Sequence, residues 1–80
     1  MSLRVVVVDD EAPARAKLRR YLATADGLEW VGEAGSGIEA ITLMQRLRPD
    51  VVFLDISMPG MDGFAVLQAL GEPLPAEIVF

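Results

Sequence analysis

These 80 residues contain no cysteine and no histidine. Without cysteine there is no disulfide framework and no thiolate metal site. Without either residue a metal site must be built from oxygen, which favours Mg2+ or a similar hard ion over zinc. No apolar stretch approaches the roughly 20 residues that cross a bilayer, and the first residues lack the long apolar core of a secretory signal. Positive charge is scarce. Seven Lys and Arg stand against twelve Asp and Glu, a net charge of −5, which argues against a nucleic-acid-binding module. The only lysine is Lys17, and no internal repeat or low-complexity tract is present. What remains is one small domain, residues 1–80, expected to be soluble and cytoplasmic, with 52% apolar residues from which to build a core.

The apolar residues include two unbroken runs that end in acid. Val5-Val6-Val7-Val8 leads into Asp9-Asp10-Glu11, and Val51-Val52-Phe53-Leu54 leads into Asp55. Runs without polar alternation suit strands buried on both faces, as in a parallel sheet covered by helices. Ligands of such sheets bind beyond the carboxyl ends of the strands. Asp55 taken alone reads equally well as a residue that ends a strand or caps a turn. If the two strands are neighbours, Asp9, Asp10 and Asp55 share one crevice. At a separation of about 5 Å and an effective dielectric near 20, each ionised pair repels by roughly 3 kcal/mol. That cost is tolerable with a cation present or with one carboxyl held neutral.

Around these runs strand and helix alternate. Leu3 to Val8 reads as the first strand. Ala14 to Ala23 reads as a helix, with Pro13 in its first turn, where a missing N–H costs little. Leu18, Tyr21 and Leu22 can face the sheet, while Arg15, Lys17, Arg19 and Arg20 make a basic, solvated face. Thr24-Ala25-Asp26-Gly27 stops the helix. Glu29 to Ala34 alternates and is short, as an edge strand is, with Trp30 as packing. Gly35-Ser36-Gly37 reads as a turn, since no Lys-Ser/Thr follows as a phosphate loop requires. Ser36 is the N-cap of a helix from Ile38 to Leu47 whose core face is Ile38, Ala40, Ile41, Met44 and Leu47. Phe64 to Leu70 forms a third helix, Pro73 and Pro75 keep the next connection extended, and Glu77 to Phe80 begins a fourth strand. The order βαβαβαβ predicts an α/β fold, a doubly wound parallel sheet. In the flavodoxin-like strand order 2-1-3-4-5, strands one and three are adjacent, which brings the three aspartates together.

Val8-Asp9-Asp10-Glu11 together with Asp55-Ile56-Ser57-Met58-Pro59-Gly60-Met61-Asp62-Gly63 resembles the receiver domain of two-component response regulators, over Arg4 to Phe80. Asp10-Glu11-Ala12-Pro13-Ala14-Arg15 is similar to regulators that carry a LytTR-type DNA-binding output. The resemblance implies that Asp55 is the phosphorylation site and takes its phosphoryl group from a sensor histidine kinase. It implies that Mg2+ is bound directly by Asp10 and Asp55, by the Ser57 backbone carbonyl, and by Asp9 through water. It implies also that Met58 to Gly63 shape the phosphate loop, that the Ser57 side chain tunes acyl-phosphate hydrolysis, and that the first helix helps the kinase recognise the domain. Phosphorylation would then switch an output such as transcription regulation that lies outside these residues.

There is also a departure from the family. Receivers carry a Ser or Thr at the end of the fourth strand and a Lys at the end of the fifth, and these residues stop before both. Lys17, in the first helix, cannot take the second role. The last third of such a domain is therefore expected to be missing, with phosphorylation weakened and the fourth strand left as an apolar edge that invites self-association. The alternative function is a receiver-like dimerisation scaffold inactive in phosphotransfer, although no acidic residue of the crevice is lost. A phosphohydrolase with an aspartyl nucleophile typically wants a second Asp two residues on, where Ser57 stands. The expectation is a signalling domain with at most self-phosphorylation and self-dephosphorylation, and with no direct binding to nucleic acid or membrane.

Overall fold

The β-branched run near the start of the chain becomes the centre of the sheet. In the computed structural model, which describes residues 2–80, β1 (Leu3–Val8) lies between β2 (Leu28–Ala34) and β3 (Val51–Leu54), and β4 (Glu77–Val79) flanks β3. All the pairings are parallel, in the order β2-β1-β3-β4. Helices α1 (Ala12–Ala23), α2 (Gly37–Leu47) and α3 (Gly63–Leu70) make the crossovers. No helix among the described residues is long and apolar enough to cross a membrane.

Val5 to Val8 are all at most 2% exposed, so β1 is covered on both faces. Alternate residues of a strand point to opposite faces. Val6, Val8, Val52 and Leu54 meet Ala40 and Met44 of α2 and Val66 of α3 in the main core. On the other face Leu18 of α1 borders a groove with Val7 and Phe53. Here β3 departs from the reading of full burial: Val52 and Leu54 are buried, whereas Val51 and Phe53 are only half-buried. The reason is that α1 packs against β2 at the sheet's edge, leaving this face of β3 open.

Several local expectations are met. Ser36 caps α2, its hydroxyl accepting the Glu39 N–H at 3.2 Å. Met44 is fully buried. The Arg4 guanidinium closes the other end of α2, donating to the carbonyls of Leu47 (2.6 Å) and Arg48 (3.1 Å) that the helix leaves unpaired. Arg48 itself adopts a left-handed conformation, φ 49°, ahead of the buried Pro49.

Two residues placed on core faces lie outside them. Tyr21 is 65% exposed, because the inward stripe of α1 runs through Ala14, Leu18 and Leu22, and Tyr21 is rotated off it by the helical period. Ile38 is 69% exposed, because Gly37 takes the sheet-facing place in the first turn of α2. That place must be glycine: a Cβ there would lie 2.8 Å from the Met61 side chain and carbonyl. A β-bulge between Val5 and Val6 also interrupts the expected alternation of β2, since Val5 pairs with Trp30 and Val6 with Gly32. Val31, the extra residue, packs against the core. Trp30 packs as expected, with the Arg19 guanidinium 5.3 Å from its ring centroid, so Arg19 is more than a solvated charge.

Candidate functional site

The sheet register carries on past the last apolar residues of β1 and β3. Val8 is opposite Leu54, and the next residue along, Asp55, donates its N–H to the Val8 carbonyl at 2.9 Å. Asp9 donates its N–H to the Ala34 carbonyl of β2 at 3.1 Å. The two acids that end the runs are therefore fixed side by side by the backbone. Their carboxylates are oriented by one shared device. Asp9 Oδ1 accepts the Glu11 N–H at 2.9 Å, and Asp55 Oδ1 accepts the Ser57 N–H at 3.0 Å. In each case an aspartate bonds the backbone two residues on, and its second oxygen stays available.

Asp9, Asp10 and Asp55 each offer a carboxylate oxygen, and these oxygens lie within 4.8 Å of one another. Asp9 and Asp55 are half-buried and Asp10 is exposed at the rim. The donor set fits a hard divalent ion. Octahedral ligands about 2.1 Å from Mg2+ lie roughly 3 to 4.2 Å apart, and Mg2+ keeps several of its waters. A spread of 4.8 Å thus suits two direct carboxylates and a third reached through water. Ser57, whose carbonyl the family resemblance implies as a ligand, is exposed beside the cluster, with its amide tied to Asp55.

The loop after Asp55 is anchored at Met58 and again from Met61 to Gly63. Met58 is 5% exposed and belongs to the main core. Gly60 makes a left-handed turn at φ +80°, and Met61 fills the space over Gly37. Asp62 caps α3, its Oδ1 accepting the Ala65 N–H at 2.9 Å. Gly63 closes the loop, donating its N–H to the Ile56 carbonyl at 3.0 Å. A Cβ on Gly63 would meet the Asp55 carbonyl oxygen at 2.9 Å and Ile56 Cα at 3.0 Å. Helix α3 therefore starts in direct contact with the backbone of Asp55.

Two residues at the site went unassigned in the sequence. Asp62 had a legible signal, an Asp immediately before an apolar helical run. Arg15 had none that is local. It was grouped with a solvated basic face, yet its Nη1 donates to the Asp9 carbonyl at 2.7 Å and its Nε to Glu33 Oε1 at 2.8 Å. The expected site residues Asp9, Asp10 and Asp55 are brought together, whereas Lys17 is exposed on α1 with Arg20, Tyr21 and Thr24.

The family model described as the response regulator receiver domain matches residues 5–79. An uncharacterized response regulatory protein of Yersinia pestis is 49% identical over 78 residues, which cover 98% of this chain and 33% of that protein. The transcriptional regulatory protein BtsR of Salmonella typhi is 44% identical over 78 residues, again 98% of this chain and 33% of the relative. Among solved structures, the response regulator domain of Thermotoga maritima CheB aligns with a TM-score of 0.90 at 33% identity, covering 98% of this chain and 58% of that one. The chain thus spans about a third of the length of these curated relatives.

Proposed function

This chain belongs to the response regulator receiver domain family, and we propose that it accepts a phosphoryl group from a sensor histidine kinase on Asp55. The observation that carries this reading is the convergence of Asp9, Asp10 and Asp55 at the carboxyl ends of two adjacent parallel strands. An oxygen of Asp55 attacks the phosphorus of the phosphohistidine. A P–O bond forms as the P–N bond breaks, and the protonated imidazole departs as neutral histidine, leaving an acyl phosphate on Asp55. Such transfer needs in-line positioning and neutralisation of phosphoryl charge more than it needs a base. The Ser57 amide holds Oδ1 and so fixes the carboxylate plane, leaving Oδ2 open. Asp10, Asp55 and the Ser57 carbonyl, with Asp9 acting through water, would hold Mg2+, which would supply charge neutralisation for the transferred phosphoryl group. The output switched by phosphorylation is transcription regulation, by analogy with BtsR, and the protein acts in the cytoplasm.

The test is intact mass after incubation with Mg2+ and acetyl phosphate, beside an Asp55→Asn variant. A phosphoryl adduct on the wild type alone supports the reading. A folded wild type that gains no adduct, or a variant that gains the same one, refutes it.

A further inference from the structure

We propose that Arg15 is a positioning residue that sets the Asp9–Asp10 turn for cation binding by clamping it to β2. This rests on the reading of the acidic crevice as a Mg2+ site. The guanidinium is a fork with two engaged prongs: Nη1 donates to the Asp9 carbonyl at 2.7 Å, and Nε donates to Glu33 at 2.8 Å. Its side chain is only 18% exposed, well below an ordinary surface arginine. The space around it is also shaped to hold it. A Cβ on Gly35 would sit 3.3 Å from Nη1, so the glycine that opens the β2–α2 turn leaves room for the guanidinium.

The clamp acts on the backbone of Asp9, not on its carboxylate. The Asp9 carboxylate is oriented separately, by the Glu11 amide. Arg15 therefore contributes neither a ligand nor a proton. It holds the peptide between Asp9 and Asp10, and so controls how the Asp10 side chain reaches the crevice. Groups that orient metal ligands typically cost about 10- to 100-fold in metal affinity when removed.

The sign of the effect separates positioning from simple charge. A guanidinium beside a cation site repels the cation, so if Arg15 acted only through its charge, removing it would tighten Mg2+ binding, and salt would screen the difference. If it positions the turn, removal weakens binding. The experiment is calorimetric titration with Mg2+ of the wild type, Arg15→Met, Arg15→Lys and Gly35→Ala, with Asp10→Asn as the site control. Positioning predicts at least about tenfold weaker binding for Arg15→Met. Arg15→Lys, which keeps the charge but loses the fork, and Gly35→Ala, which keeps every charge but crowds Nη1, should weaken it in the same direction. Gly35→Ala also covers the case in which the Arg15 variants fail to fold. Equal or tighter binding in folded Arg15→Met, or wild-type affinity in both Arg15→Lys and Gly35→Ala, overturns the proposal while leaving the crevice reading intact. A wild type whose Mg2+ binding is absent, or is unchanged by Asp10→Asn, overturns both.

Discussion

Replacing Gly63 by alanine tests whether the start of α3 and Asp55, the proposed phosphoacceptor, share one rigid contact. The added Cβ would meet the Asp55 carbonyl oxygen at 2.9 Å and Ile56 Cα at 3.0 Å. Both neighbours are backbone, so neither can swing aside as a side-chain tip would. Forcing a methyl group into a packed site costs about 1–3 kcal/mol. Against this, Gly→Ala at a tolerant backbone position stabilises by about 0.4–1 kcal/mol through the unfolded state. A net loss of about 1 kcal/mol follows, which for a domain of this size lowers the melting temperature by about 4–8 °C. The displaced group is the backbone of Asp55 itself, so acetyl-phosphate labelling should slow as well, by about tenfold, given that a misplacement of about 1 Å can cost a hundredfold. Gly27→Ala, in the turn between α1 and β2 at the opposite end of the sheet, is the matched control. Nothing lies within 4 Å of its Cβ, but its φ of +84° puts alanine in a left-handed conformation, at about 1–2 kcal/mol. It should lose comparable stability while labelling at close to the wild-type rate. Thermal melts followed by circular dichroism, with labelling rates from intact mass, read both quantities. Wild-type stability and rate in Gly63→Ala, or equal slowing in both variants, refutes the contact as the source of the coupling.

Met44→Ala removes a side chain with no exposed surface from the centre of the core, and should cost about 2–5 kcal/mol in urea denaturation. That is a large share of the roughly 4–12 kcal/mol that a domain of this length commands. Asp62→Ala removes the cap of α3 and should cost about 1 kcal/mol by the same assay; a change below about 0.3 kcal/mol would show the cap to be unimportant. Saturating Mg2+ should raise thermal stability, by about 2.7 kcal/mol at a hundred times its Kd. Asp10→Asn should abolish that rise and, by removing a repelling carboxylate, leave the metal-free protein no less stable.

What was legible in the sequence was whatever leaves a local, repeating mark. Val5 to Val8 are covered on both faces, so they show no alternation, and that absence revealed a central strand. Alternating strand and helix then left few topologies, and the adjacency of β1 and β3 brought Asp9, Asp10 and Asp55 together. Helical period locates a stripe only to within a residue on either side, which is why Tyr21 and Ile38 read as inward although Leu18 with Leu22, and Gly37, take the inward places. The bulge in β2 leaves no trace in residue pattern, because it depends on the register with β1. Arg15 was illegible for a different reason. Its partners are the carbonyl of Asp9 and the carboxylate of Glu33, on two different elements, and a carbonyl has no residue type to read.

The same division between backbone and side chain bears on Ser57. Its amide orients Asp55, while its side chain is exposed and plays no part in that bond. Any residue with an N–H can hold Asp55 in this way, so the serine hydroxyl is free to act on the acyl phosphate. Ser57→Ala should therefore leave Mg2+ affinity and the labelling rate within about twofold of wild type and alter mainly the rate of dephosphorylation. Ser57→Pro removes the N–H and with it the anchor of Oδ1. It should slow labelling at least tenfold, since losing a hydrogen bond to a charged group costs about 1.5–3 kcal/mol and tenfold corresponds to about 1.4 kcal/mol in the transition state. Chasing the phosphoryl adduct by intact mass after desalting gives the dephosphorylation rate, and the approach to full labelling gives the other. If Ser57→Ala slows labelling as much as Ser57→Pro does, the hydroxyl and not the amide positions Asp55, and the two roles collapse into one.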